Sequence, residues 1–270
     1  TTTAELFDDA GLQDDDVFRM IVMPDTHVPA HDPVAFSAFL QFLEFYKPHG
    51  LINLGDFMEM SAVSHWPAPD AAPRRLTPHI LEGRKLLDKI DKAAGEQCVK
   101  RWFLIGNHED WLDQYLVQQI PEVLDGSEQL GMDMRIQTLL RLPDHGYEVV
   151  PLNEVLRIGP HCHFIHGYYT NNSHAQKHLE VFGVNIYYGH LHDVQSYSKV
   201  SVNGLREAMS LGCLRDLNAP FLKGKPNNWC HAFGIFEFRI NGGFTRLCPI
   251  MIDGKFSFNG HIFDGNKENL

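Results

Sequence analysis

Residues 99–110 read VKRWFLIGNHED. The apolar run Val99 to Ile105 stops at Gly106 and gives way to the polar side chains of Asn107, His108 and Glu109. A short apolar run closed by glycine suits a buried strand, and side chains just past such a strand sit where open α/β sheets place their chemistry. The same pattern recurs upstream. Phe18 to Met23 is a short apolar run closed by Pro24 and followed by Asp25-Thr26-His27, and Leu51 to Leu54 ends in Gly55-Asp56. Between these runs, Asp32-Pro33 supplies an N-cap and an N1 proline for a helix to about Tyr46. Thr77-Pro78 repeats the device before the helical spacing of Ile80, Leu81, Leu86, Leu87 and Ile90. Strand, helix, strand, helix, strand predicts a βαβαβ unit with a mostly parallel sheet.

Downstream, Glu109 to Leu142 reads as a helical insertion with breaks at Pro121 and around Gly126. Short strands follow at Val149-Val150, Val155 to Ile158, His163 to Ile165, Val184 to Tyr188, Val194 to Val202, Arg206 to Leu211, Phe233 to Ile240 and Phe244 to Ile252. Asn241-Gly242-Gly243 joins the last two as a hairpin turn. With no Pro/Ser-rich linker and no internal repeat, residues 17–270 are expected to form one domain of two packed sheets flanked by helices. Residues 1–16 hold six acids and no base and read as a solvated, acidic lead-in. The proline-rich stretch HWPAPDAAPRR, 65–75, is a loop long enough to be functional.

Composition narrows the function. The 270 residues carry 34 Asp and Glu against 23 Lys and Arg, a formal charge of −11, which disfavours a passive nucleic-acid coat. At 44% hydrophobic and 21% charged, the chain is neither disordered nor collagen-like. Five cysteines without a C-x-x-C pair point to neither a disulfide framework nor a thiolate zinc knuckle. No apolar run approaches the roughly 18 residues of a transmembrane helix. The acidic N-terminus is unlike a signal peptide, so a reducing cytoplasm is the expected compartment and no membrane partner is expected. The 16 histidines are the outlier.

Several of them fall at strand ends. Besides Asp25-x-His27, Gly55-Asp56 and Gly106-Asn107-His108-Glu109, the strand at 163–165 ends in His166-Gly167, and a later one ends in Gly189-His190-Leu191-His192. Each piece alone is weak: Gly-Asp is commonly a turn, and an H-x-H pair is often a surface accident. Together they place oxygen and imidazole donors, with no thiolate, at the mouths of five strands. His161 and His163 compete with His166, which is favoured because it ends the strand before glycine.

These five blocks resemble those of the calcineurin-like metallophosphoesterases, across residues 25 to 192. The stretch from Gly212-Cys213-Leu214-Arg215 to Lys223-Gly-Lys-Pro-Asn-Asn-Trp-Cys-His231 is similar to members encoded by bacteriophages and prophages. The resemblance implies an α/β fold, a four-layer α-β-β-α sandwich of two mixed sheets flanked by helices, with two divalent metal ions in a cleft. Asp25, His27, Asp56 and His192 would hold one ion, and Asp56, Asn107, His166 and His190 the other, with Asp56 bridging. One departure is Glu59, where many members have Asp near that spacing. Manganese is the expected ion, with Fe, Zn, Co or Ni also suited to this donor set.

Two such cations joined by a carboxylate can share a hydroxide that attacks a phosphate ester in line. His108, next to a ligand, would protonate the leaving oxygen or stabilise transition-state charge. Glu109 would either hold the other nitrogen of His108 or act as a helix N-terminal carboxylate. His31, His65, Trp66 and Trp229 are candidate substrate contacts, set against a plain reading as loop side chains, and Lys223 and Lys225 could meet a phosphate. The expected function is a dinuclear phosphoesterase acting on phosphodiesters of nucleic acid or nucleotides. The alternative is a phosphomonoesterase, although its protein-phosphatase branch usually carries an Arg where this chain has Ile105. A non-catalytic scaffold of the same fold should show gaps in the ligand set, and none is seen. Oligomeric state stays open; the 109–142 insertion could form a lid or a homodimer contact.

Overall fold

Strand β1, Phe18–Met23, turns Phe18, Met20 and Val22 to one face and Ile21 and Met23 to the other, and all five are buried. A strand apolar on both faces lies between two layers. In the computed structural model, which describes residues 1–64, 75–122, 133–202 and 204–267, β1 is central to a mixed sheet. It pairs in parallel with β2, Gly50–Asn53, which pairs with β3, Lys100–Leu104, and that with β4, Tyr147–Val150. On the other side, β10, Gly234–Phe238, runs antiparallel to β1, and β11, Phe244–Leu247, antiparallel to β10. A second mixed sheet has β6, Cys162–Ile165, parallel to β7, Ile186–Tyr188, and β7 parallel to β9, Gly204–Ser210. Its antiparallel edges are β5, Leu156–Ile158, and β8, Ser196–Ser201.

Three hydrophobic clusters define the layers. Phe18, Met20, Val22, Ile52, Trp102 and Leu104 of the first sheet meet Ile158, Phe164, Tyr187 and Met209 of the second. The opposite face of the first sheet, with Ile21, Met23, Leu51 and Phe103, packs on α2, Pro33–Tyr46, and α3, Leu76–Ala94, through Phe39, Phe42, Leu87 and Ile90. The outer face of the second sheet, with Ile165, Ile186, Tyr188 and Ala208, is covered by Leu179 of a helix over His174–Phe182. The expected α-β-β-α sandwich and its leading βαβαβ unit are therefore present. Among the described residues, no helix is long and apolar enough to cross a membrane.

Several expectations need correction. The acidic lead-in is not merely solvated: Thr3–Ala10 forms helix α1, closed by a capping box between Thr2 and Glu5. Its Leu6 and Phe7 are buried in the cluster between the sheets, so the acids occupy one face while the other enters the core. Helix α3 begins at Leu76, leaving Thr77-Pro78 inside its first turn, where proline is tolerated because that N–H has no helical acceptor. In the insertion, α4, Asn107–Gln119, starts two residues earlier than expected. It stops before Ile120, which leaves the helical region (φ −142°, ψ 53°), as the following Pro121 favours. Ile136–Leu139 forms a short helix, labelled α5, and the helix over His174–Phe182 is labelled α6. The last expected strand ends at Leu247, and the chain then forms a separate hairpin, β12, Lys255–Phe258, with β13, His261–Asp264, against α2.

Burial of α1 makes a prediction: Phe7→Ala should destabilise the protein by about 3–5 kcal/mol, the cost of removing a core aromatic. A urea midpoint unchanged from wild type would show that α1 does not contribute to the folded core.

Candidate metal centre

Five parallel strands from the two sheets end at one place. Beyond β1 lie Asp25 and His27, beyond β2 Asp56, and at the start of α4, just past β3, Asn107 and His108. The second sheet contributes His166 after β6 and His190 and His192 after β7. His27, Asp56, His190 and His192 have left-handed backbones, with φ of 55°, 47°, 68° and 62°. A side chain tolerates that region at some cost, and such residues gather at functional sites.

Asp56 stands in the middle. Its Oδ2 lies 3.4 Å from His166 Nε2 and 3.8 Å from both His27 Nε2 and His108 Nε2. On one side His192 Nε2 lies 3.1 Å from Asp25 Oδ2 and 3.0 Å from His27 Nε2, with 3.9 Å between His27 Nε2 and Asp25 Oδ2. On the other side His166 Nε2 is 3.0 Å from Asn107 Oδ1, and the His166 and His190 rings are 5.1 Å apart. Among the described residues, three groups bring their donor atoms within 4.8 Å of one another and could hold a metal ion: Asp25, His27, His192; Asp56, His166, His190; and His27, Asp56, His108. All seven predicted ligands are thus brought together, and His166 rather than His161 or His163 reaches the centre. His163 instead faces the backbone oxygen of Asn185, and His161 is exposed.

These residues fit divalent cations. Ligand bonds of about 2.0–2.2 Å separate neighbouring donor atoms by about 2.8–3.1 Å at right angles and about 3.3–3.6 Å at the tetrahedral angle, and the closest pairs here, 3.0–3.4 Å, lie in that span. The Nδ1 atom of His190 is buried without a hydrogen-bond partner, a condition that costs free energy unless something binds there. His166 donates Nδ1–H to the carbonyl of Leu54 at 2.8 Å, which leaves Nε2, on the Asp56 side, as the atom that would give a lone pair to a cation. The electrostatics agree. Burial opposes charge on Asp25 and Asp56, yet the surrounding histidines hold both carboxyls far below the usual range. Burial likewise opposes protonation of His166 and His27. Asp56 nevertheless raises His166 to about 10, and the neighbouring carboxylates of Asp25 and Glu59 raise His27 to about 9. Burial drives His192 down to about 4 despite Asp25. Two buried carboxylates therefore draw positive charge to this point, and divalent cations would meet the same demand.

Around the centre, Glu109 takes the second of its two expected roles. It does not reach the His108 ring, whose Nδ1 donates to the backbone oxygen of Glu59 at 2.6 Å. The Glu109 carboxylate is fully buried and accepts the N–H groups of Gly106, Asp56 and Met58 at 3.0, 2.8 and 2.8 Å. It is a helix N-terminal carboxylate that ties the loop after β2 to the start of α4. Burial and the charge of Asp56 push it up to about 7, while its backbone donors pull the other way. Glu59 lies beside His27, Oε2 to Nδ1 2.9 Å, although neither atom makes a well-aligned hydrogen bond.

Two nearby groups had no role assigned from sequence. Arg215 is buried, with Nη1 3.5 Å from Glu59 Oε2 and its guanidinium 5.0 Å from the Trp229 ring and 5.3 Å from that of Phe221. Trp111 lies against His108, ring centroids 3.9 Å apart. Its position three residues after His108 in one helix was a readable signal, whereas nothing local marks Arg215.

Of the expected substrate contacts, Trp229 stands at the centre, its ring 4.5 Å from that of His192. His31 does not: its ring packs on Phe36, and its charged neighbours are Glu82, Lys89 and Asp32. His65 and Trp66 lie outside the described residues. Lys223 and Lys225 are exposed on the loop before Trp229. A cavity of about 470 Å³ between Asp91, Arg101 and His145 opens at the N-terminal end of β3, away from the centre. There Asp91 binds both Arg101 and His145, which accounts for those charges without a ligand.

A buried network supports the second sheet's ligands. Asp193, next to His192, holds His174 Nε2 at 3.1 Å and Ser210 Oγ at 2.8 Å, and His174 Nδ1 meets the Tyr188 hydroxyl at 2.7 Å. His178 stacks on Tyr188, and its Nε2 accepts the N–H of Tyr168 at 3.1 Å and of Tyr169 at 3.4 Å, which pins the chain after His166.

No protein-family model matches the chain. The Gene 54 protein of Mycobacterium phage D29 is 24% identical over 260 residues, spanning 91% of this chain and 98% of that protein. The Gene 54 protein of Mycobacterium phage L5 is 24% identical over 271 residues, with the same coverage of 91% and 98%. Among solved structures, Vps29 of Chaetomium thermophilum aligns with a TM-score of 0.38 and 12% identity, covering 86% of this chain and 96% of that one. The chain therefore has bacteriophage relatives along most of its length.

Two predictions follow from the geometry. A Cβ at Gly189 would sit 2.1 Å from Asp25 Oδ1, so Gly189→Ala should displace that carboxylate and lower divalent-cation uptake by at least tenfold, about 1.4 kcal/mol. Uptake equal to wild type in equilibrium dialysis would contradict this. Burial lowers His178 to about 4, so from pH 6.5 down to about 4 the unfolded chain takes up a proton that folded His178 refuses. Its contribution is complete above pH 6.5 and is lost as pH falls through that window. His178→Gln should therefore lose less stability than wild type over that range in urea titrations, and parallel curves would contradict the assignment.

Proposed function

We propose that the protein is a dinuclear metal-dependent phosphoesterase that hydrolyses phosphodiesters, with nucleotides or nucleic acid as the substrate class. The observation that carries this reading is the position of Asp56 Oδ2, between His27 at 3.8 Å and His166 at 3.4 Å, each belonging to a separate donor group. A carboxylate so placed can serve two cations. Asp25, His27, Asp56 and His192 would hold one, and Asp56, Asn107, His166 and His190 the other; manganese suits this oxygen and imidazole set. Such a pair supplies a water nucleophile at neutral pH and neutralises the charge of the phosphoryl group.

The chain's own residues do the rest. His108 commits its Nδ1–H to Glu59, so any proton it exchanges with substrate moves at Nε2, the atom that faces Asp56. In its protonated form Nε2–H serves the leaving oxygen. Glu109 holds the backbone of Asp56, and the carbonyl of Leu54 orients His166. The preference for a diester rests on charge: a monoester brings a second negative charge, and the guanidinium beside the centre, Arg215, is already paired with Glu59.

Protein prepared with manganese should carry about two divalent ions per chain and hydrolyse bis(p-nitrophenyl) phosphate faster than p-nitrophenyl phosphate. His108→Ala should lower kcat on the diester by about 10²–10⁴-fold while keeping its metal, and His192→Ala should lose metal as well. Full activity in His108→Ala would remove its leaving-group role. A strong preference for the monoester would overturn the diester reading.

A further inference from the structure

Arg215 is the only lysine or arginine that is buried among the described residues, at 3% exposure. A guanidinium taken out of water is costly unless its charge is met, so its surroundings show what it serves. Its charge faces Glu59, Nη1 to Oε2 3.5 Å. Its central carbon lies over the rings of Trp229 and Phe221, 5.0 and 5.3 Å from their centres, a placement that suits a planar guanidinium better than an ammonium.

Two of these neighbours touch candidate ligands of the same cation. Glu59 Oε2 lies 2.9 Å from His27 Nδ1, while the other ring nitrogen, Nε2, faces Asp25 and Asp56. Trp229 lies against His192, ring centres 4.5 Å apart and planes at 71°. The main chain repeats the connection. Leu214 donates its N–H to the Asp25 carbonyl at 2.8 Å, Asp216 to that of Ala30 at 2.8 Å and Cys230 to that of His192 at 2.9 Å. His231 Nε2 donates to the carbonyl of Arg215 itself at 2.8 Å. Arg215 therefore stands between the loop that follows β1 and the loop that follows β7. Glu59 needs such a partner. His27 Nε2 already has Asp25 and Asp56 carboxylate oxygens at 3.9 and 3.8 Å, so a third anion behind the ring is repelled by both. The Glu59 side chain is 19% exposed, which gives it a path to water, and the positive charge of Arg215 opposes that path.

We propose that Arg215 is a positioning residue for the cation that Asp25, His27, Asp56 and His192 would hold: it keeps Glu59 against Nδ1 of His27 and braces Trp229 against the His192 ring. The proposal rests on the dinuclear phosphoesterase reading of the centre and adds a residue outside its ligand set. A carboxylate behind the second nitrogen of a ligating imidazole fixes the ring and strengthens its donor atom, and losing such a partner costs about 10–100-fold in metal affinity. Because Glu59 and Arg215 together are neutral, the pair does this without adding net negative charge to the centre.

Calorimetric titration of the full chain with manganese separates this role from simple packing. Arg215→Met fills the space between the rings without the charge, and Arg215→Lys keeps the charge without the planar group. Arg215→Met should weaken one of about two ions by about tenfold or more, and Arg215→Lys should recover part of that loss. In a Glu59→Gln background the two variants should bind manganese alike, because residues that act through one another are not additive. Wild-type or tighter uptake in Arg215→Met, no recovery in Arg215→Lys, or a loss equally large with and without Glu59 would overturn the proposal. Should circular dichroism show that the Arg215 variants do not fold, Phe221→Ala carries the test. It uncovers the guanidinium from a position that is itself 49% exposed, and it should weaken the same ion; unchanged uptake there would overturn the proposal too. Hydrolysis of simple diesters by a protein whose two ions are indifferent to Arg215 would refute the positioning role and leave the catalytic reading standing. Uptake that follows Arg215 in a protein without hydrolytic activity would do the reverse.

Discussion

The arrangement of the centre depends on a carboxylate that is not among its candidate ligands. Glu109 is sealed from solvent and accepts hydrogen bonds from the N–H groups of Gly106, Asp56 and Met58. Bonds of this charge-assisted kind are worth about 1.5–3 kcal/mol each. Two of them bracket Asp56, whose backbone is left-handed at φ 47°. The same carboxylate therefore stabilises the strained conformation that turns Asp56 toward both donor groups and caps the helix that delivers Asn107 and His108. Its proximity to Asp56 creates repulsion, and positive charge brought to Asp56 relieves it.

A second constraint follows from the sandwich. Each sheet supplies part of the centre, and the two parts are bonded directly: the N–H of His190 meets the Asp25 carboxylate at 2.9 Å, and His166 donates to Leu54 at 2.8 Å. Neither sheet can form the centre alone. The apolar layer of Phe18, Met20, Trp102, Phe164 and Tyr187 sets the separation at which these contacts close. Core packing and ligand geometry are in this way a single problem, which is why a metal bound at such a place also contributes to folding.

Much of this was legible in the chain. The leading βαβαβ unit follows from short apolar runs ended by proline or glycine, and Asp32 caps α2 as its sequence implies, accepting from Val34 and Ala35. The donors were readable because each follows such a run. Other features were hidden for physical reasons. In the first 16 residues the acids dominate the average and mask the short apolar face of Leu6 and Phe7. Glu109 was ambiguous because the third position of a helix and the neighbour of a catalytic histidine can both call for a carboxylate; only its distances from three backbone nitrogens decide. Arg215 reaches its place through the tertiary fold, far in sequence from Glu59 and close to it in space.

The left-handed backbones of His27, Asp56, His190 and His192 add a consequence for how the protein can vary. Histidine and aspartate are among the few residues other than glycine and asparagine that enter this region with some ease. Each of these positions is thus restricted twice over, once by what can bind a cation and once by what the main chain will accept. An alanine placed there removes a donor and also introduces an ill-suited conformer, whereas a glycine removes the donor and leaves the turn relaxed. The pair of substitutions separates coordination chemistry from loop conformation, and drift at these positions is limited even where the metal is dispensable.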